Sequence, residues 1–326
     1  MPPGRTEYSM NWKSIKKAIK ITTAAFLGVG AFNKICKIWI SNGIRMPFQN
    51  PAYYRWRFGN VYYSKTGTGS PILLIHDLKT VSFGAEWKNI IPTLAKEHTV
   101  YVIDLPGCGR SDKPKMLYTQ YMYDQLITLF IRDVIKEKCD VIATGYSFPL
   151  VIMANQIAPE WIGKIIGISP VSVYHTAIYP KLHNKLFHTV MHIPSVGPFI
   201  YNICHTKKMI RRHLVNRGFY EKSRVEEELV ELYYRSAYYE NTQSTLFFSS
   251  MINHYLNLDI RKPLTRTNKD IYLIFGMEAI NKRKSVKSYK EYSNRIKAYQ
   301  IERTAGLPHL ERPRATSQRI LSILDN

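Results

Sequence analysis

A serine lies where the chain is expected to turn from a strand into a helix. Ser147 is the central residue of the pentapeptide GYSFP at residues 145–149, which follows a short apolar run at residues 140–144. Such a corner holds a hydroxyl clear of the backbone and aims the next N–H at an oxygen that becomes negative during acyl transfer. The spacing predicts a nucleophilic serine, although Pro149 stands where this pattern has its second glycine.

A serine nucleophile needs a base, and histidine is the usual one. Six histidines between residues 175 and 213 could each serve as a replacement base: His175, His183, His188, His192, His205 and His213. Packing and surface roles are the alternatives for these side chains.

No metal or cofactor is expected. His188 and His192 are four residues apart and could share a helix face, but the spacing indicates no third ligand. The four cysteines form no C-x-x-C pair, which argues against a zinc or redox motif.

The elements that must position Ser147 alternate between short apolar runs and helix-length segments from residue 51 onward. Strand, helix, strand at this spacing predicts a mostly parallel sheet flanked by helices, an α/β fold. Residues 174–266 contain no convincing strand and many helix-like patterns. We expect them to form a helical lid over the carboxyl ends of the strands, where ligands bind in open α/β sheets.

The chain is strongly basic, with a formal net charge of +22 over 326 residues. Three stretches carry the excess: residues 1–60, 181–224 and 261–314. Positive patches attract anionic surfaces such as lipid headgroups or nucleic acid. No zinc-finger spacing, RNP-like motif or basic-region heptad accompanies the charge, so no nucleic-acid partner is expected. A lysine-rich, solubilising surface is the simpler interpretation.

Residues 1–45 form a basic and apolar N-terminal segment. Four lysines precede an uncharged run of twelve residues at 21–32, which is shorter than a transmembrane helix requires. The segment predicts a membrane-associating helix, on an undetermined side of the membrane. The alternatives are a cleaved signal peptide, with export, and a helix packed on the domain of a cytoplasmic protein.

Four blocks in order resemble the α/β-hydrolase family over about residues 57–324. They are the strand with His76-Asp77 at 72–77, the turn-rich DLPGCGRSDKP at 104–114, the serine turn, and LPHLERP at 307–313. The resemblance implies an α/β-hydrolase domain at residues 46–326, with the lid at about 174–266. It implies Ser147 as the nucleophile and the backbone N–H groups of Phe148 and Leu78 as the oxyanion hole. Asp77 replaces a glycine of the family and would oppose an oxyanion if it points inward.

The family pattern is incomplete at the base and the acid. Gly306 stands where the family has its catalytic histidine, and Ala279 stands where it has its acid. His309, about one helical turn from Gly306, is the candidate base, and Glu278 is the candidate orienting acid. A histidine at a helix start and a solvated loop glutamate are the structural alternatives.

Two functions follow from this degenerate triad. The first is a serine hydrolase that cleaves an ester or amide of a small or apolar substrate through an acyl-enzyme at Ser147. The second is a catalytically weakened or inactive member that binds a hydrophobic ligand or a partner at the membrane. Without its base such a site would lose several orders of magnitude in rate.

Overall fold

The computed structural model of the protein describes residues 12–41, 52–239 and 244–325. These residues form one eight-stranded sheet with the strand order β1-β2-β4-β3-β5-β6-β7-β8. The strands are β1 (Ala52–Trp56), β2 (Gly59–Thr66), β3 (Ser70–Ile75), β4 (His98–Ile103), β5 (Cys139–Thr144), β6 (Ile162–Ile168), β7 (Ile271–Gly276) and β8 (Ile296–Ile301).

The sheet is mostly parallel, as predicted. Strands β1 and β2 form an antiparallel hairpin, β2 pairs antiparallel with β4, and the remaining pairs are parallel. Strands β3, β4 and β7 are almost entirely apolar because helices cover both faces of the sheet. Two apolar cores result, one on each face.

Helices cover the sheet and form the predicted insertion. The α-helices of the described residues are α1 (Trp12–Ser41), α2 (Ile91–Leu94), α3 (Gln120–Phe130), α4 (Phe148–Ile157), α5 (Val173–Thr176), α6 (Leu182–Met191), α7 (Val196–Cys204), α8 (Lys207–His213), α9 (Glu227–Ala237), α10 (Thr245–Ile252), α11 (Arg261–Arg266), α12 (Lys282–Lys290), α13 (Pro308–Glu311) and α14 (Pro313–Leu324). Helices α5 to α11 lie between β6 and β7, which are neighbours in the sheet. We call α5 to α11 and their connections the lid.

The N-terminal helix α1 packs against lid helix α7. The Phe32 and Phe199 rings meet edge to face with their centroids 5.4 Å apart. In the part of the chain that the structure describes, no helix has the length and apolar character needed to cross a membrane. The predicted boundary between residues 45 and 46 lies outside the described residues.

A buried ion pair fixes the turn-rich loop after β4. Arg110 Nε donates to Asp104 Oδ2 at 2.7 Å, and Arg110 Nη2 donates to Asp104 Oδ1 at 2.9 Å. Asp104 also accepts a hydrogen bond from the Gly84 N–H at 2.7 Å. Burial raises the pKa of Asp104, but the charge and hydrogen bonds of Arg110 outweigh burial and hold this pKa below its usual value. These contacts therefore tie the loop after β4 to Gly84, in the connection between β3 and β4.

Candidate functional site

A cavity of about 540 Å³ opens at the carboxyl ends of β5, β6 and β7, beneath the lid. Its wall is partly apolar and partly cationic, and Asp77 is the one carboxylate among the described residues that line it. The cationic side chains at the wall are Lys79, Arg217, Lys282 and Lys284. The five residues predicted for the active site, Ser147, Phe148, Leu78, His309 and Glu278, are all outside this lining.

Ser147 is fully buried, and its hydroxyl is engaged in a hydrogen bond to the backbone. The Oγ atom donates a hydrogen bond to the carbonyl oxygen of His76 at 2.6 Å. Ser147 has φ −78° and ψ −20°, an ordinary helical conformation, and is the residue before helix α4. A nucleophile at this kind of corner sits on a strained turn that exposes its hydroxyl. The structure therefore does not present Ser147 to the cavity.

The strained position of the corner belongs to Gly145. This residue follows the last residue of β5 directly and has φ +53°, in the left-handed region that glycine tolerates best. Gly145 lines the cavity, and the next N–H along the chain is that of Tyr146. By geometry, Gly145 takes the place of the elbow residue and Tyr146 supplies the N–H that an oxyanion would use.

The Asp77 carboxylate lies beside the Tyr146 N–H, in the space next to Gly145. The Tyr146 N–H donates to Asp77 Oδ1 at 2.7 Å. A Cβ atom built on Gly145 would lie 2.3 to 2.5 Å from the carboxylate atoms of Asp77, so the carboxylate fills the volume that an elbow side chain would need. Asp77 thus points inward, and its negative charge opposes an oxyanion at this N–H.

His76 holds Asp77 in position. The Leu105 N–H donates to His76 Nε2 at 2.9 Å, so Nδ1 carries the proton and donates to the Asp77 carbonyl oxygen at 2.8 Å. The backbone of Asp77 is therefore tied to the ends of β3 and β4, while the His76 carbonyl receives the Ser147 hydroxyl.

Lys79 and His213 face the same carboxylate. Lys79 Nζ lies 2.7 Å from Asp77 Oδ2. Burial lowers the pKa of the Lys79 ammonium, but the charge and hydrogen bond of Asp77 outweigh it, so this pKa is raised. His213, at the end of lid helix α8, lines the cavity, and desolvation together with the Lys79 charge lowers its pKa to about 4. At neutral pH His213 is therefore a neutral imidazole.

His309 is buried beside Trp87 and Glu86 and does not line the cavity. The imidazole is fully buried, stacks at a tilt on Trp87 with centroids 5.0 Å apart, and has Nε2 3.8 Å from Glu86 Oε2. Neither ring nitrogen makes a hydrogen bond. Glu86 in turn accepts the Tyr233 hydroxyl at 2.8 Å, which links this buried group to the lid. No hydrogen bond joins the described residues His309 and Ser147.

Glu278 is solvent-exposed, and its backbone N–H donates to the Thr304 carbonyl at 2.9 Å. Ala279 and Gly306 line the cavity at the places where the family pattern has its acid and its histidine. The structure therefore brings the two replaced positions together at the cavity, while the substitutes proposed from sequence, Glu278 and His309, lie outside it.

The lid approaches Gly306 closely. A Cβ atom on Gly306 would lie 2.4 Å from the carbonyl oxygen of Arg217, and the neighbouring Leu307 N–H donates to the Gly218 carbonyl at 3.0 Å. Glu311 reinforces this contact, because its carboxylate accepts the N–H groups of Tyr220 and Ala305 at 2.8 and 2.9 Å. The glycine is thus required by the packing of lid against core.

Within the described ranges, no group of three or more His, Cys, Asp or Glu side chains is arranged to hold a metal ion. His188 and His192 are in ring contact, with centroids 4.5 Å apart, but His188 Nδ1 is hydrogen-bonded to Ser249 Oγ at 2.7 Å. His192 Nδ1 is hydrogen-bonded to the His188 carbonyl.

Comparisons with known proteins agree with this fold. The sequence model of the α/β-hydrolase fold matches residues 70–167. The crystal structure of CarC, a serine hydrolase involved in carbazole degradation, superposes with a TM-score of 0.68 at 15% identity, covering 85% of this chain and 98% of CarC. The protein has the α/β-hydrolase fold. The fold inferred from the four sequence blocks is confirmed.

Two curated relatives with this fold are similar to different extents. A 2-hydroxy-6-oxo-6-(2'-aminophenyl)hexa-2,4-dienoic acid hydrolase of Metapseudomonas resinovorans is 40% identical over 62 residues, which is 18% of this chain and 20% of that protein. The chain therefore matches about a fifth of that relative. The uncharacterised hydrolase YugF of Bacillus subtilis is 23% identical over 274 residues, covering 81% of this chain and 94% of YugF. Hydrolases with the α/β-hydrolase fold are thus the proteins to which this chain is similar.

Proposed function

We propose that this α/β-hydrolase-fold protein binds a small ligand with an apolar body and an anionic group in its cavity, and does not form an acyl-enzyme at Ser147. The observation that carries this proposal is the Asp77 carboxylate on the Tyr146 N–H. A carbonyl substrate placed there would have to develop negative charge against a fixed carboxylate, which removes the largest electrostatic term of acyl transfer.

The cavity wall supports the class of ligand. Apolar side chains such as Ile168, Val171 and Phe275 would contact the body of the ligand. Asp77 is already paired with Lys79, and Lys282 Nζ donates to the Met277 carbonyl and to Gln300 Oε1. The positive charges of Arg217 and Lys284 are therefore the ones we assign to an anionic group.

Isothermal titration calorimetry with octanoate and its uncharged isostere octanamide tests the ligand class. We expect octanoate to bind more tightly, and the double variant Arg217→Gln, Lys284→Gln to weaken octanoate by about tenfold while leaving octanamide unchanged. Lys115→Gln, Lys138→Gln is the matched control, since these lysines are exposed and do not line the cavity. Equal binding of acid and amide would refute the anionic preference.

The competing proposal is the serine hydrolase with Ser147 as nucleophile, His309 as base and Glu278 as acid. The similarity to CarC, which is named a serine hydrolase, favours it. A fluorophosphonate probe separates the two proposals. We expect no labelling of folded protein at Ser147, with a known serine hydrolase labelled in the same mixture as control. Labelling that Ser147→Ala abolishes and His309→Ala strongly reduces would overturn our proposal in favour of the hydrolase.

A further inference from the structure

Helices α1, α6 and α7 expose apolar side chains to solvent, and each turns an asparagine toward a neighbouring part of the protein. Helix α7 contacts both of the others. A surface helix of a water-soluble protein normally turns its apolar side chains toward the core and its polar side chains toward water. We call the exposed apolar side chains of these three helices, together with their exposed lysines, the inverted face.

Asparagines make the inward contacts. Asn33 of α1 donates to the Ser195 carbonyl at 2.8 Å and accepts a hydrogen bond from Asn202 of α7 at 3.0 Å. Asn184 of α6 is buried, and its carbonyl oxygen accepts the Lys181 N–H at 3.0 Å. The amide groups that would normally face water are satisfied inside the protein.

Aliphatic side chains point outward on the same helices. Leu27 and Ile35 of α1 are 69% and 56% exposed, and Leu182 and Leu186 of α6 are 83% and 66% exposed. Ile203 of α7, next to the buried Asn202, is 48% exposed. Large exposed apolar side chains on helices that pack against one another mark a candidate interaction site.

Charge identifies the partner. The segment 161–220, which includes α6 and α7, contains no aspartate or glutamate, and neither does α1. Lys20 and Lys34 of α1 and Lys185 of α6 are exposed beside the aliphatic side chains. Apolar side chains ringed by lysines, without any carboxylate, complement a bilayer that carries anionic headgroups.

We propose that the inverted face docks on the surface of an anionic lipid bilayer, with α1 and the lid helices α6 and α7 inserting their aliphatic side chains together. This goes beyond an N-terminal anchor, because the lid helices α6 and α7 take part in the contact. It also stands apart from the proposed function, which concerns the cavity.

Vesicle flotation of the full chain tests the inference. We expect the protein to float with phosphatidylcholine vesicles that contain about 30% phosphatidylglycerol. It should bind more weakly to vesicles of pure phosphatidylcholine, and more weakly to the anionic vesicles when the salt concentration is high. The lid variant Leu182→Ser, Leu186→Ser should reduce the partition coefficient by about tenfold or more, although α1 is intact.

The matched control is Tyr121→Ser, Ile157→Ser, which removes apolar side chains that are 67% and 58% exposed on α3 and α4. Thermal unfolding of both double variants checks that they fold. Failure of the wild type to float, unchanged binding of the lid variant, or an equal loss in the control would each overturn the inference. A dimer in analytical ultracentrifugation that the lid variant abolishes, without vesicle binding, would assign the face to a second copy and also overturn it.

Discussion

Gly145→Ala directly tests whether the Asp77 carboxylate fills the space at the corner between β5 and α4. Gly145 has φ +53°, and its missing Cβ would lie 2.3 Å from Asp77 Oδ1. An alanine would therefore meet two penalties, one from its own backbone conformation and one from displacing the carboxylate that accepts the Tyr146 N–H.

The magnitude follows from these two terms. A left-handed conformation costs an alanine about 1–2 kcal/mol. Loss of a buried hydrogen bond to a charged acceptor costs about 1.5–3 kcal/mol. We expect Gly145→Ala to lower the free energy of unfolding by about 2.5–5 kcal/mol, the sum of the two terms.

The double variant with Asp77→Ala separates the terms. Removal of the carboxylate makes room for the new methyl group, so in that background Gly145→Ala should cost only the conformational term of about 1–2 kcal/mol. Urea unfolding followed by tryptophan fluorescence measures all four proteins of the cycle. Equal costs of Gly145→Ala in both backgrounds would show that Asp77 does not occupy the elbow, and would refute the structural argument for the proposed function.

Two further predictions concern buried charges. Asp104→Asn removes the buried carboxylate charge that pairs with Arg110 and should destabilise the fold by about 3–5 kcal/mol. Asp112→Asn, on an exposed carboxylate of the same loop, should cost far less in the same urea assay. Burial lowers the pKa of His205 to about 4, and its Nε2 accepts the Thr80 hydroxyl at 2.5 Å. Because the folded-state pKa lies below the unfolded value near 6.5, this contribution to stability is complete above about pH 6.5 and is lost as the pH falls toward 4, by about 3 kcal/mol. His205→Gln should flatten the stability profile in that window, and an unchanged slope would assign the acid sensitivity to other groups.

The sheet was predictable because its strands are short apolar runs that helices bury on both faces. The runs at 72–75, 99–103 and 271–275 are all strands, and the strandless stretch at 174–266 is the helical lid. These features depend on local composition, which a sequence displays directly.

The chemistry of the site was less predictable because it depends on where β5 ends and how Asp77 turns. The motif spacing selected Ser147, but the strand ends at Thr144, so the positive φ falls on Gly145 instead. The sequence did reveal Asp77 in place of a glycine. Its direction is set by the Tyr146 N–H and by Lys79, two contacts that exist only in the folded chain.

The close contact between Gly306 and the lid leaves no room for a histidine at this position. Any side chain at position 306 would collide with the Arg217 carbonyl, because the lid backbone occupies the space where its Cβ would lie. A single Gly306→His substitution would therefore displace the lid before it could offer a base to any nucleophile. A catalytic histidine at position 306 would therefore require at least two changes, one of which must first move the lid backbone away from this position.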